Sequence, residues 1–145
     1  MSSHIQTLCA HLRGAYEIQR RGVQLSAEVE DVHLDLSRAV SCGLIVNELV
    51  SNALKHAFPN KVEGEVTVEL KSSAERYVLT VRDNGSGMPA GFDLSRSTSF
   101  GLQLVQDLAQ QLHGTIQFSA STPGTTFTLE FGVDNDGGKD SRGRR

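Results

Sequence analysis

Apolar residues recur along the chain at steps of three and four in some stretches and at steps of two in others, and the two periods mark out helices and strands. Ile5, Leu8, Leu12, Ala15 and Tyr16 keep the helical step, with Gly14 weakening that helix inside and Gly22 at its end. Val23 to Val29 (VQLSAEV) then reads as a strand. Val32 to Leu36 (VHLDL) reads as a short extended piece joined to it at Glu30-Asp31, which makes His33 a strand residue. From Ser37, the expected N-cap, to Phe58 the helical step returns, and Pro59 stops it. GEVTVELK and YVLTVRD alternate apolar with polar positions. Val66, Val68 and Leu70 share one face and Tyr77, Leu79 and Val81 another, and SSAE between them predicts a hairpin.

Periodicity then lapses. Asp83 to Gly101 (DNGSGMPAGFDLSRSTSFG) is rich in Gly, Ser and Pro, and a stretch of that length in a compact domain is usually a lid or a binding loop. Leu102, Val105, Leu108, Ala109 and Leu112 trace one stripe of a further helix, which ends at His113-Gly114 with Gly114 as the expected C′ residue. His113 there complements the negative end of the helix dipole. TIQFSA and TTFTLEF are two more alternating strands around STPG. Residues 134–145 hold no apolar residue and read as a disordered tail, so residues 1–133 form one domain. Helices and hairpin strands interleave without a regular βαβ rhythm. The fold class is therefore an α/β (α+β) sandwich, a mixed and mostly antiparallel sheet covered on one face by about three helices.

Composition narrows the function. A net charge of -3 in 145 residues implies no basic face for nucleic acid. No apolar run reaches the roughly 20 residues that span a bilayer, and MSSHIQTLCAHLRG lacks the layout of a secretory signal. Cys9 and Cys42 fall in separate helices without CxxC spacing, which reads as buried free thiols in a reducing, cytoplasmic setting.

The helix NELVSNALKHAF, Asn47 to Phe58, carries more polar groups than burial requires. At about 100° per residue Glu48, Asn52 and Lys55 fall within roughly 60° of one another, flanked by His56, while Leu49, Val50, Ala53 and Ala57 take the apolar side. A carboxamide beside a carboxylate suits magnesium, which takes few protein oxygens, and Lys55 suits phosphate as a point charge. Taken alone, the stripe is equally a solvated helix face. Asn47 lies away from it and is expected to make a cap-like or inter-element hydrogen bond. DNGSGMP follows a strand directly. Asp83 there can accept from an exocyclic amine such as that of adenine, Gly85 and Gly87 let a planar ligand approach the backbone, and Met88 supplies a soft wall. D-N-G is also an ordinary turn signal. SFGLQLV puts Gly101 and Leu102 at a helix start, where free N–H groups bind anions, with Ser99 as its N-cap. PGTTFTLEF puts Gly124 and Thr125 at a strand start, either as a hairpin turn or with the Thr125 hydroxyl at a ligand's edge.

The four stretches in this order resemble the GHKL ATPase superfamily, which includes histidine kinases, gyrase B, Hsp90 and MutL. LSRAVSCGLIVNELVSNALKHAFP and SFGLQLVQDLAQQLHG are most similar to histidine kinases of the HWE and HisKA_2 type, and the resemblance covers roughly Ile5 to Phe131. It implies the Bergerat fold, with ATP and Mg²⁺ between the Asn47–Phe58 helix and a lid at Pro89 to Phe100. By motif, Asn52 would hold Mg²⁺ and Asp83 would read the adenine amine. Lys55 and His56 would lie near the phosphates, Gly101 and Leu102 at the lid's end, and Thr125 near adenine through water. Glu48 stands where gyrase-type members keep a general base.

The implied activity is donation of the ATP γ-phosphoryl group to a histidine on a separate dimerisation segment, with a response regulator downstream. The chain itself lacks the H-R-x-K-N-N-like acceptor context, and neither His4 nor His11 supplies it. The catalytic domain is therefore expected to be monomeric in isolation and very slow there. An anti-sigma-type serine kinase, a GHKL hydrolase using Glu48 on water, and a degenerate binding module are the alternatives.

Overall fold

The computed structural model describes residues 2–15, 22–56, 64–85, 92–94, 99–120 and 124–133. Their elements run α1 (Ser2–Ala15), β1 (Val23–Val29), α2 (Leu36–His56), β2 (Gly64–Ser72), β3 (Arg76–Asp83), α3 (Phe100–Gln111), β4 (Thr115–Ala120) and β5 (Thr125–Gly132). The five strands form one sheet in the order β1-β2-β3-β5-β4. β1 and β2 pair in parallel around α2, a single βαβ crossover, and every other pairing is antiparallel.

The alternation expected for the strands sets the two faces of the sheet. Val66, Val68 and Leu70 of β2, Tyr77, Leu79 and Val81 of β3, and Phe127, Leu129 and Phe131 of β5 are all buried. Cross-strand partners bring them onto one face, with Val68 opposite Val81, Val81 opposite Phe127 and Leu79 opposite Leu129. The three helices cover that face in sequence order: α1 lies against β1, α2 against β2 and β3, and α3 against α2 and β4. Ile5, Cys9 and Leu12 of α1, Ile45, Val46, Val50 and Leu54 of α2, and Val105 and Leu112 in and after α3 complete one continuous core.

α1 also protects a sheet edge. Among the described residues β1 presents carbonyls that have no strand beside them, and α1 supplies donors: the Arg13 guanidinium reaches the Leu25 carbonyl at 3.0 and 2.7 Å. The Gln6 carboxamide reaches that of Ala27 at 3.0 Å. These contacts satisfy an edge that would otherwise invite a foreign strand.

Several details differ from expectation. α2 begins at Leu36, and its N-cap is Asp35 rather than Ser37, because the Asp35 carboxylate accepts the Arg38 N–H at 2.9 Å. A carboxylate satisfies that orphan donor and adds charge favourable to the helix dipole, which a serine two residues later does not. His33 belongs to no strand. β1 ends at Val29, opposite Leu70, and residues 30–35 climb from the sheet to α2 with Val32 buried and the His33 carbonyl accepting from the Tyr77 hydroxyl at 3.5 Å.

At the far end of α3 the left-handed residue is His113 (φ 56°), not Gly114. The His113 N–H bonds the Gln110 carbonyl and the Gly114 N–H bonds that of Ala109, both at 2.9 Å, so Gly114 is the second residue past the cap of a Schellman motif. A side chain at 114 would strike the Glu130 carbonyl, and this close approach to β5 explains the glycine. The expected stop at Phe58-Pro59 and the tail at 134–145 lie outside the described residues. Among the described residues no helix is long and apolar enough to cross a membrane. Cys9 and Cys42 are buried free thiols as expected, and burial pushes the Cys42 thiol up to about 12.

Arg38 fixes how α2 lies on the sheet. From the first turn of α2 its guanidinium bonds the carbonyls of Gly132 (2.9 Å) and Val133 (3.1 Å) at the end of β5. It also sits 5.9 Å from the ring centres of both Tyr77 and Phe131. The helix thus starts at the end of the sheet where β3 begins and β5 finishes. Its 21 residues, about 30 Å long, carry it towards the end where β3 finishes and β5 begins. Replacing Arg38 by alanine removes two charge-assisted hydrogen bonds and leaves two carbonyls short of a donor. We expect a loss of about 2–3 kcal/mol of stability in urea denaturation. A loss under 0.5 kcal/mol would show that the contact does not lock the helix.

Candidate functional site

The inward row of β3 runs Tyr77, Leu79, Val81 and then Asp83, so the strand's period of two carries a carboxylate onto the buried face one step past the last apolar residue. On β5 the matching row begins with Thr125, directly opposite Asp83 and itself buried. Asp83 keeps only 8% of its surface exposed. Burial raises the pKa of its carboxyl above the ordinary value of 3.8, and hydrogen bonds from the Gly85 and Thr125 backbone N–H groups oppose that rise. The Gly85 bond is 2.9 Å long.

Gly124 makes the pairing possible. It holds φ at +106°, and a side chain there would collide with the Asp83 carbonyl. Next to it Asn84 ties the end of β3 to β2, its carboxamide oxygen accepting the Glu65 N–H at 2.8 Å.

The second half of the site lies between α2 and α3. Glu48, Ser51, Asn52 and Lys55 of α2 line a cavity of about 150 Å³ together with Ser99, Gly101 and Leu102 at the start of α3. The three residues expected to project together therefore do so, and they meet the helix start that was expected to bind an anion. Helical spacing also admits Ser51, three after Glu48 and four before Lys55, which the sequence reading passed over. Glu48, Ser51 and Asn52 are half-buried, and their side chains make no hydrogen bond among the described residues.

Ser99 caps α3 as expected, accepting the Leu102 N–H at 3.4 Å. The Gln103 N–H returns to the Ser99 carbonyl at 3.0 Å. The Gly101 N–H has no partner among the described residues and stays available for an anion. Glu48 reaches towards this turn so closely that a side chain at Gly101 would meet its Oε1.

The two halves face the same end of the sheet, because α2 runs from Arg38 towards the end where Asp83 and Thr125 sit. Other expected residues fall elsewhere. Gly87, Met88 and most of the Pro89–Phe100 stretch lie outside the described residues, and so does the His56 side chain, although His56 is the last residue of α2. Asn47 is half-buried and makes no inter-element hydrogen bond among the described residues, contrary to expectation. His4 and His11 lie on α1, over β1, with α2 between them and the cavity.

Asp83 carries a testable cost. Its folded-state pKa is raised, so the native state holds this proton more tightly than the unfolded chain does. Wild-type stability from this group is therefore greatest below the ordinary value of 3.8 and falls as pH rises through the raised one. Asp83→Asn keeps an acceptor oxygen and removes the charge. We expect its thermal midpoint at pH 7 to equal or exceed that of wild type, with any advantage shrinking towards pH 4. A clearly lower midpoint at pH 7 would show that the two N–H bonds outweigh burial.

Known proteins carry the same architecture. A family described as histidine kinase-, DNA gyrase B- and HSP90-like ATPase matches residues 38–135. Sensor histidine kinase PdtaS of Mycobacterium tuberculosis is 39% identical over 107 residues, which cover 72% of this chain and 21% of that protein. Blue-light-activated histidine kinase 2 of Erythrobacter litoralis is 29% identical over 114 residues, 77% of this chain and 32% of its own length. The chain thus spans between a fifth and a third of the length of these relatives. In fold it superposes on the Erythrobacter litoralis EL346 blue-light activated histidine kinase with a TM-score of 0.78 at 24% identity, over 90% of this chain and 44% of that one. The mixed five-stranded sheet under three helices is therefore the Bergerat arrangement, and the chain belongs to the histidine kinase-, DNA gyrase B- and HSP90-like ATPases as a catalytic domain of the histidine kinase type.

Proposed function

We propose that the domain binds Mg-ATP between Asp83 and the α2–α3 cavity and donates the γ-phosphoryl group to a histidine on a separate segment of a parent sensor kinase. The observation that carries this reading is the convergence of Glu48, Ser51, Asn52 and Lys55 on the start of α3, at the sheet end that buries Asp83 beside Thr125. Asp83 accepts from the adenine amine, and Thr125 borders the ring. Gly85 leaves room for the base. Lys55 and the Gly101 and Leu102 end of α3 face the phosphates, with Ser99 holding the turn.

The donor set fits magnesium. Among the described residues no three of His, Cys, Asp and Glu gather into a metal site. The Asn52 carboxamide and the Glu48 carboxylate, which make no hydrogen bond among the described residues, nevertheless line one cavity, and one or two protein oxygens would suffice for magnesium when phosphates and water supply the rest. Bound there, Mg²⁺ supplies neutralisation of phosphate charge. The chain's own contribution is positioning: Lys55 offsets charge on the transferring group, the α3 amides orient it, and Asp83 fixes the base at the other end.

On this reading the domain works where ATP is available, in the cytoplasm, as a monomer that meets its phosphoacceptor segment, with a response regulator receiving the phosphoryl group afterwards. The position of Glu48 inside the cavity also favours a second reading, hydrolysis with Glu48 as a base on water.

Calorimetric titration separates the parts of the proposal. Wild type is expected to bind ATP with Mg²⁺. Asn52→Ala should weaken Mg-ATP at least tenfold, about 1.4 kcal/mol, with little effect on metal-free ATP. Asp83→Asn should lose binding in either condition. Unchanged Mg-ATP affinity in Asn52→Ala would remove the metal assignment. Steady phosphate release by the isolated domain, abolished in Glu48→Gln, would favour the hydrolase.

A further inference from the structure

Among the described glycines only Gly22 and Gly124 hold a positive φ, so the backbone of Gly101, the second residue of α3, does not call for glycine. Alanine would suit a helical turn better, because glycine gives up more backbone freedom when a helix forms. A neighbour supplies the reason. The Glu48 carboxylate rests against this turn, its Oε1 2.5 Å from where a Cβ at position 101 would stand, and the next atom, the Ser99 Oγ, is 3.9 Å away. A carboxylate from the middle of α2 thus takes the space beside the first turn of α3. There the peptide dipoles leave partial positive charge, and the Gly101 N–H is unpaired among the described residues.

No side-chain cation relieves that carboxylate. Glu48 is half-buried and belongs to no ion pair among the described residues. Lys55 lines the same cavity but stands two helical turns further on, about 10 Å along the axis. The start of α3 therefore has two claimants, since it faces Glu48 here and the nucleotide reading gives it to phosphate. Two anions share one patch of partial positive charge only with a cation between them, because their repulsion grows as the gap closes. Asn52, one turn on from Glu48 in the same cavity wall, offers a neutral oxygen that holds a cation without adding to the repulsion.

We propose that Glu48 is a specificity-determining residue: its carboxylate excludes bare polyphosphate from the start of α3 and admits it only with a divalent cation, which the same carboxylate then faces. Gly101 gives that carboxylate its place. Metal dependence is thereby built into nucleotide binding, ahead of any phosphoryl transfer. The exclusion rests on the Mg-ATP reading above and requires no base role for Glu48.

Two measurements test it, and the first uses no ligand. Thermal midpoints of wild type, Gly101→Ala, Glu48→Ala and the double variant form a cycle. Alanine at 101 should raise the midpoint when Glu48 is absent. With Glu48 present it should raise it by at least about 2 °C less, or lower it. Additive shifts would show that the carboxylate does not press on the turn and would overturn the contact.

The second measurement titrates ATP and inorganic tripolyphosphate into wild type and Glu48→Gln by calorimetry, with Mg²⁺ or with a chelator in its place. Glu48→Gln keeps the size of the side chain and removes its charge. Its affinity for both metal-free probes should rise at least about threefold, and the factor by which Mg²⁺ improves ATP binding should fall at least about fivefold. Glu48→Ala serves as a second charge-free variant with changes in the same direction, and circular dichroism checks each fold. An unchanged Mg²⁺ factor, with wild type binding Mg-ATP, would overturn the exclusion and leave the nucleotide reading standing. Weaker metal-free binding in Glu48→Gln would show that the carboxylate assists the phosphates and would equally overturn it. No binding of Mg-ATP by wild type would remove the nucleotide reading and the exclusion together.

Discussion

A carboxylate on the inward row of a β-strand, one step beyond the last apolar residue, is the constraint on which the rest of this structure depends. Asp83 cannot turn outward without a slip in β3 that would also expose Tyr77, Leu79 and Val81. It must therefore be accommodated where it stands. Gly85 and Thr125 supply N–H groups, Gly124 stays clear of the Asp83 carbonyl, and Thr125 places a polar side chain opposite. Even so, burial prevails over these bonds in raising the pKa of the carboxyl, at the end of an otherwise apolar floor. A buried carboxylate shifted in this way by desolvation marks a candidate functional position.

The α2–α3 cavity follows the same logic with different means. Here the floor is a helix whose apolar side, Leu49, Val50, Ala53 and Leu54, is fixed by the core. Glu48, Ser51, Asn52 and Lys55 consequently share the remaining side, and the start of α3 closes over them. Arg38 sets the direction of the helix, so the polar side arrives at the Asp83 end and not at the other. Three separate devices, a strand register, a helix phase and an end-lock, bring the two polar patches into one region.

The parts of this arrangement that arithmetic along the chain can reach were legible. The inward rows of β2, β3 and β5 follow from a period of two, and the grouping of Glu48, Asn52 and Lys55 follows from 100° per residue. Ser99 was legible as a cap because a capping residue stands three positions before the apolar stripe begins at Leu102. Asp35 was missed in favour of Ser37 because both are good capping residues and both fit the phase of α2; only the carboxylate's reach to the Arg38 N–H decides between them. His113 was missed as the left-handed residue because glycine is the default there. Gly114 has a different reason to be glycine, its approach to β5, which depends on a strand still to come in the sequence. The parallel pairing of β1 with β2 and the Arg38 lock join residues far apart in the chain. No local pattern encodes them. The resemblance to histidine kinases supplied the order of the motifs, but it could not say that Glu48 would rest against Gly101.

The Arg38 contact has a mechanical consequence. The chain leaves the sheet at Val133, whose carbonyl is held by a side chain of α2 and whose N–H is held by the Glu75 carbonyl in the turn before β3. Tension applied to residue 133 is therefore not borne by β5 alone, peeling it from its neighbours one hydrogen bond at a time. Part of it passes directly into the first turn of α2, the helix whose far end carries Asn52 and Lys55, so this joint behaves as a strain relief for the sheet and a lever on the helix.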